Sequence, residues 1–198
     1  MYRPIGEAVL TISERKIFEK LFKNPLTNYI LCAIIIVPRE REVNKMKVQI
    51  SINLDMDGTI ADLYAVDGWL DMLESHNPTP YREAKPMVNM SLLSRYLRKA
   101  QAMGYNVNIV SWLSKSGNEE YNKAVTEAKL EWLKKRLRSV QFDNIVIVPY
   151  GTPKSTCVER SDMGILFDDE QRNRTEWNGA SAEPSEIFEI LKALVKGE

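Results

Sequence analysis

Apolar residues in this chain fall into short runs separated by longer amphipathic stretches. Val48-Gln49-Ile50-Ser51-Ile52-Asn53-Leu54 predicts a strand that stops abruptly at Asp55-Met56-Asp57-Gly58-Thr59. Val66, Trp69, Leu70 and Leu73 share one helical face, with a stop near Asn77-Pro78. Pro78, Pro80 and Pro86 predict irregular chain after that stop. A second helix opens at Ser91, carries Leu93, Tyr96, Leu97, Ala100 and Met103 on one stripe, and closes at Gly104. Val107-Asn108-Ile109-Val110 is a strand ending in Ser111-Trp112. Ser116-Gly117-Asn118-Glu119 fits a capping box for a long helix reaching about Arg138, with Tyr121, Val125, Ala128, Trp132 and Leu133 inward. Ile145-Val146-Ile147-Val148 is the continuous apolar run expected of a strand buried on both faces, and the turn-rich Pro149-Tyr150-Gly151-Thr152-Pro153-Lys154 follows it. Gly164-Ile165-Leu166-Phe167 is a further strand, ending in Asp168-Asp169. Ile187, Phe188, Ile190, Leu191, Leu194 and Val195 make an amphipathic closing helix, with Pro184 near its start and Gly197 at its end. Strands alternating with helices predict an α/β fold, with a mainly parallel sheet covered by helices on both faces.

Residues 1–45 differ from the remainder and read as an N-terminal extension. Thr11-Ile12-Ser13-Glu14 fits a capping box, and Ile12, Ile17, Phe18 and Leu21-Phe22 suit one face of a short helix. The apolar residues 29–37 are about half as many as a membrane-crossing helix needs, and their flanks do not suit a signal peptide. No membrane association is expected. The segment is an extra strand or docking piece, poorly ordered chain, or sequence outside the native protein. The last reading comes from Arg41-Glu42-Val43, encodable by a purine-rich ribosome-binding sequence just ahead of the Met46 codon. Residues 46–198 are then the main domain.

Composition narrows the chemistry. The 198 residues are 44% hydrophobic, an ordinary globular value. Lys+Arg and Asp+Glu balance at 27 each, so no global field steers the protein to nucleic acid, and stable nucleic-acid binding is not expected. Cys32 and Cys157 lie far apart and outside metal-ligand spacing, which points to a reducing, cytoplasmic setting. His76 is the single histidine; it reads as an exposed helix-end residue, and its isolation excludes a multi-histidine zinc site.

Candidate chemistry gathers where strands end. Ligands of open α/β sheets sit beyond the carboxyl ends of the strands. Asp55 and Asp57 are two apart, so a regular strand would point both to one side, where carboxylates about 4 Å apart repel by roughly 4 kcal/mol at an effective dielectric near 20. A cation, a shared proton or a chain bend relieves this, and Gly58 permits the bend. Alone, this stretch also fits a strand followed by an Asp-Gly turn. Ser111, Lys154 and Asp168-Asp169 stand at the ends of the following strands or the loop after one, so a parallel sheet brings them to the same rim. A calcium loop does not fit, because Gly58 follows Asp57 directly and later ligands are missing.

In order and spacing, Leu54-Asp55-Met56-Asp57-Gly58-Thr59, Val110-Ser111, Lys154 and Phe167-Asp168-Asp169 resemble the four motifs of the haloacid dehalogenase (HAD) superfamily, over residues 47–198. The resemblance implies a three-layer Rossmann-like sandwich with a small helical cap insertion at 61–89. Asp55 would be the nucleophile forming an aspartyl-phosphate, and Asp57 the general acid and base. An aspartate at this second position implies a phosphatase or phosphotransferase. Ser111, Lys154 and Thr59 would bind the phosphoryl group. Mg²⁺ would be held by Asp55, Asp57 (through its backbone carbonyl), Asp168 and Asp169, the last through water.

Leu166-Phe167-Asp168-Asp169, Ser111-Trp112 and Gly151-Thr152-Pro153-Lys154 look most like the 5'(3')-deoxyribonucleotidase-type phosphatases and their phage-encoded relatives. This implies a small phosphorylated substrate, a nucleoside monophosphate first. The cap here is shorter than theirs, so a polynucleotide end or phosphoprotein stays open as a larger substrate. A phosphotransferase and a catalytically silent phospholigand-binding module stay open too. Tyr64, Trp69, Tyr81 and Trp112 are candidates to stack on a base, and Arg82, Arg172 or Arg174 to meet a phosphate. Oligomeric state is not legible.

Overall fold

The computed structural model describes residues 50–196. In chain order its elements are β1 (Ser51–Leu54), β2 (Ala61–Asp62), α1 (Trp69–Glu74), α2 (Thr79–Glu83), β3 (Lys85–Pro86), α3 (Met90–Ala102), β4 (Asn106–Trp112), α4 (Glu119–Arg136), β5 (Asn144–Val148), β6 (Gly164–Phe167), α5 (Gln171–Glu176), β7 (Ala180–Ala182) and α6 (Ile187–Lys196). Five strands form one sheet in the order β5-β4-β1-β6-β7, every neighbouring pair parallel. The chain builds outward from β1 to β4 and β5, then crosses back to β6 and β7. Strand order therefore reverses beside β1, and a crevice opens there at the carboxyl ends. This is the α/β, Rossmann-like arrangement expected.

Ile52 and Leu54 of β1 and Val107, Ile109 and Val110 of β4 have no exposed surface. Apolar side chains alone would not fix which residue sits beside which. Asn108 donates to Asn53 at 2.8 Å and Asn144 donates to Asn108 at 3.0 Å, so an amide ladder crosses β1, β4 and β5 in register. Asn53 also donates to Ser51 Oγ and to the Ile165 carbonyl of β6. Buried amides need partners, so a one-residue slip would strand every one of these groups. Gly164 opposite them must lack a side chain, because a Cβ would strike Ser51 Oγ and Asn53 Nδ2.

α3 lays Leu93, Leu97 and Ala100 against the sheet, and α6 packs on it. α4 buries Tyr121, Val125, Ala128, Trp132 and Leu133, the stripe expected of it. Between β1 and α3, strands β2 and β3 pair antiparallel (Ala61 with Pro86, Asp62 with Lys85) and close off an insertion that carries α1 and α2. α2 packs against α4, and Tyr81 joins Leu63, Tyr121, Val125 and Ala128 in one buried cluster.

Several local expectations are corrected. β5 lies at an edge of the sheet among the described residues and leaves Ile145 40% exposed, so it is not buried on both faces. Met103 is exposed because α3 ends one residue before it. The cap of α4 is Asn118, which accepts from the Tyr121 amide at 2.8 Å, and not the Ser116 box. Residues 79–83 are helical although Pro80 lies among them, since proline is tolerated in a first turn. β2, β3, β7 and α5 went unpredicted; the strands are two or three residues long and α5 is polar throughout.

The chain divides into two units, Met1–Lys47 and Val48–Glu198. The helix and apolar run expected within 1–45, and the Gly197 stop, lie outside the described residues. Among the described residues no helix is long and apolar enough to cross a membrane.

Candidate active site

β1 ends in a tight turn. The Met56 carbonyl accepts from the amides of Thr59, Ile60 and Ala61, and Gly58 adopts φ 76°. That left-handed conformation suits glycine, and a Cβ at 58 would also strike the Asp169 carboxylate. The turn sends Asp55 and Asp57 to different partners. Asp55 is tied to β6 by its amide, which donates to the Phe167 carbonyl at 2.9 Å.

Asp55, Asp168 and Asp169 each bring a carboxylate oxygen within 4.8 Å of the others. Lys154, in a single 3₁₀ turn after β5, donates to Asp55 Oδ1 at 2.8 Å and to Asp168 Oδ2 at 2.6 Å. Asn173 of α5 donates to both oxygens of Asp168, which also accepts from the Glu170 amide. Burial and the neighbouring Asp55 charge push the Asp168 carboxyl up to about 6. Burial, Asp55 and Asp168 push Asp169 up to about 7. Burial alone would pull the Lys154 ammonium down; Asp55 and Asp168 outweigh it and hold the group above its ordinary range.

The Asp57 carboxylate lies outside that trio. It pairs with Lys129 of α4, whose Nζ is 2.6 Å from Asp57 Oδ2, 2.6 Å from the Trp112 carbonyl and 2.9 Å from Ser111 Oγ. Lys129 has no exposed surface. Burial raises the Asp57 carboxyl above the usual range, Lys129 opposes that, and Asp55 adds to it. Two lysines, not one, therefore compensate the four carboxylates.

A cavity of about 590 Å³ opens over this floor. Asp55, Asp57, Lys154 and Asp168 line its base, and Tyr64, Trp69, Leu70, Tyr81, Trp112 and Tyr150 supply much of its wall. α1 buries none of its residues in the core; Trp69, Leu70 and Leu73 face the cavity instead. Tyr64 and Trp69 meet edge to face at 5.0 Å, and the Lys154 ammonium stands 5.2 Å from the Trp112 ring.

Of the expected phosphoryl ligands, only Lys154 reaches the cavity. Ser111 is fully buried with its oxygen on Lys129. Thr59 is also fully buried, accepting from the Asp169 amide at 3.1 Å and donating to its carboxylate. Both hydroxyls bond residues beneath the floor and do not line the cavity. Arg172 pairs with Glu176 at the surface, its guanidinium 6.0 Å from the Trp112 ring, and is not a lining residue. Arg82 pairs with Glu131 on an exposed face. Arg174 donates to the carbonyls of Asp168 and Asp169, so it shapes the acidic turn, and it is not a lining residue. His76 is exposed, sharing a 2.8 Å hydrogen bond with the Ser116 carbonyl and stacking on Tyr121. Lys129 was missed. Its signal was present: it is four residues from both Val125 and Leu133, in the middle of an apolar stripe.

No protein-family model matches the chain, and no curated protein matches it. Among solved structures it is similar to D,D-heptose 1,7-bisphosphate phosphatase from Burkholderia thailandensis, at 17% identity and TM-score 0.42, over 64% of this chain and 70% of that one. It is similar to a HAD-like phosphatase from Mesorhizobium loti at 14% identity and TM-score 0.45, over 80% and 92% of the two chains. The HAD domain of the effector protein Lem4 from Legionella pneumophila aligns at 16% identity and TM-score 0.35, over 76% and 99%.

Proposed function

We propose that this chain is a Mg²⁺-dependent phosphomonoesterase of the haloacid dehalogenase type, acting on a nucleoside monophosphate or a similar small phosphate. The observation that carries the proposal is the meeting of Asp55, Asp168 and Asp169 within 4.8 Å, with Lys154 between two of them, under a cavity.

The donor set suits Mg²⁺. It is all oxygen and carries excess negative charge, and next to it Asn173, whose Nδ2 holds Asp168, leaves a buried Oδ1 without a partner. Held by Asp55, Asp168 and Asp169, the ion would neutralise charge on the phosphoryl group facing Asp55.

Asp55 attacks phosphorus, forming an acyl phosphate as the ester P–O bond breaks. The electron pair leaves with the ester oxygen, which takes the proton of Asp57. Asp57 then removes a proton from water, whose oxygen attacks phosphorus and releases inorganic phosphate with Asp55 restored. Lys154 spends two of its three donors on Asp55 and Asp168, leaving one for a phosphoryl oxygen.

The cavity supports a single phosphate on an aromatic or apolar body. Beyond Lys154 its lining offers one more cation, Lys115, against the acids Glu74 and Glu170. A second phosphate or a polynucleotide backbone would find little compensation there. Tyr64, Trp69 and Trp112 suit the faces of a base.

With Mg²⁺ and p-nitrophenyl phosphate the wild type should turn over, and Asp55→Asn should lose about 10⁴-fold or more. Wild-type rates in that variant overturn the nucleophile assignment. Binding of a phosphate mimic without turnover by the wild type points instead to a silent binding module. A panel of nucleoside monophosphates assayed for phosphate release tests the substrate class.

A further inference from the structure

Lys129 is a lysine that folding alone does not ask for. Its neighbours along the inward face of α4 are Val125, Ala128, Trp132 and Leu133, all buried. A leucine or methionine there would continue the stripe, and replacing a buried ion pair by apolar groups is often neutral or stabilising. Nor does the ammonium reach a substrate. Its three donors are all taken, by Asp57, Ser111 and the Trp112 carbonyl, and the Tyr81 ring lies 5.1 Å from Nζ.

The three acceptors differ in kind. Ser111 and Trp112 end β4, which is paired on both sides by β5 and β1, whereas Asp57 stands on the turn after β1. Lys129 ties that turn to the sheet. We infer that Lys129 is a positioning residue for leaving-group protonation: its ammonium fastens Asp57 to the carboxyl end of β4 and thereby aims the carboxyl proton at the departing ester oxygen. The inference rests on the phosphatase reading above. It concerns the first step alone, in which the Asp55 oxygen–phosphorus bond forms, the ester P–O bond breaks and the Asp57 proton moves to the leaving oxygen.

Leaving groups separate this role from simple support. p-Nitrophenolate departs without a proton, whereas an alkoxide needs one. The ratio kcat/KM reports the first step even where breakdown of the acyl phosphate limits kcat. Lys129→Met should lower kcat/KM about 100-fold for an alkyl phosphate, the usual scale of general acid catalysis, and less than about 5-fold for p-nitrophenyl phosphate. In an Asp57→Asn background the same substitution should change neither ratio more than about 2-fold, because the group it positions is gone. Equal losses on both substrates, or an undiminished loss in the Asp57→Asn background, overturn the inference. Should Lys129→Met not melt cooperatively, Lys129→Gln serves in its place, since its amide keeps a donor for Ser111 or Trp112 and removes the charge at Asp57. A wild type that turns over neither substrate overturns the phosphatase reading itself, and this inference with it.

Discussion

Lys154 and Lys129 are both buried beneath one cavity, yet they are embedded differently. Lys154 stands on a short turn, bonds two carboxylates and lines the cavity base. Lys129 stands mid-helix and bonds one carboxylate, one hydroxyl and one carbonyl behind Tyr81. Lys154 keeps one donor uncommitted at the cavity base, and Lys129 keeps none. On the proposed reading, counting donors divides two identical side chains into a substrate contact and a tether. Their carboxylate partners divide in the same way. Asp55 and Asp168 gather with Asp169 around Lys154, whereas Asp57 stands outside that trio and pairs with Lys129.

Lys154→Met probes the contrast hardest. It should reduce kcat/KM by at least about 10²–10³-fold on alkyl and p-nitrophenyl phosphates alike, because a phosphoryl contact acts whatever the leaving group. It also strands two buried carboxylates, a loss of about 3–5 kcal/mol in denaturant unfolding at neutral pH without added metal. A leaving-group-selective effect at Lys154 would erase the distinction between the two lysines.

Metal should act on the Asp55, Asp168 and Asp169 side only. Asp168 and Asp169 titrate higher in the folded chain than in the unfolded one, near 6 and 7. The folded state therefore binds more protons than the unfolded state between about pH 4 and 7. The contribution is present below the unfolded pKa and is lost as pH rises through the folded values. Metal-free protein should lose melting temperature on this account between pH 5 and 8. Saturating Mg²⁺ should restore it, by about 2.7 kcal/mol at a hundredfold excess over Kd, and more at pH 8 than at pH 5. Asp168→Asn should abolish the metal response, and Lys129→Met should keep it.

The cavity wall should give the smallest effect. Trp69→Ala should raise KM for a nucleoside monophosphate about 5–10-fold, the scale of one base stacking on an aromatic ring, and leave kcat within about 2-fold. A larger effect on kcat than on KM would place Trp69 closer to the chemistry than its position on α1 indicates.

What was legible in the sequence follows from these geometries. A strand that ends in acid declares itself, because the apolar run fixes where the chain stops being buried; Asp55, Asp57, Asp168 and Asp169 were all found that way. Lys154 follows from the same logic, one loop later. Ser111 and Thr59 are legible as strand-end hydroxyls, but spacing does not reveal their partners here, Lys129 for Ser111 and Asp169 for Thr59. Lys129 escaped because a charge within an apolar helical stripe is ordinarily assigned to the solvated edge of that face. Arg174 is no more than a candidate in the sequence, because carbonyl-binding arginines leave no pattern along the chain. β2, β3 and β7 are too short for alternation to register; β2 and β3 pair with each other, and β7 pairs with the longer β6.

Trapping the acyl phosphate tests the central assignment most directly. Borohydride added during turnover of an alkyl phosphate reduces an aspartyl-phosphate to homoserine, which peptide mass spectrometry locates. Homoserine should form at position 55 alone, only with substrate and Mg²⁺ both present, and not in Asp55→Asn. Steady phosphate release with Asp55 unmodified, or homoserine formed at another aspartate, would contradict a nucleophilic role for Asp55.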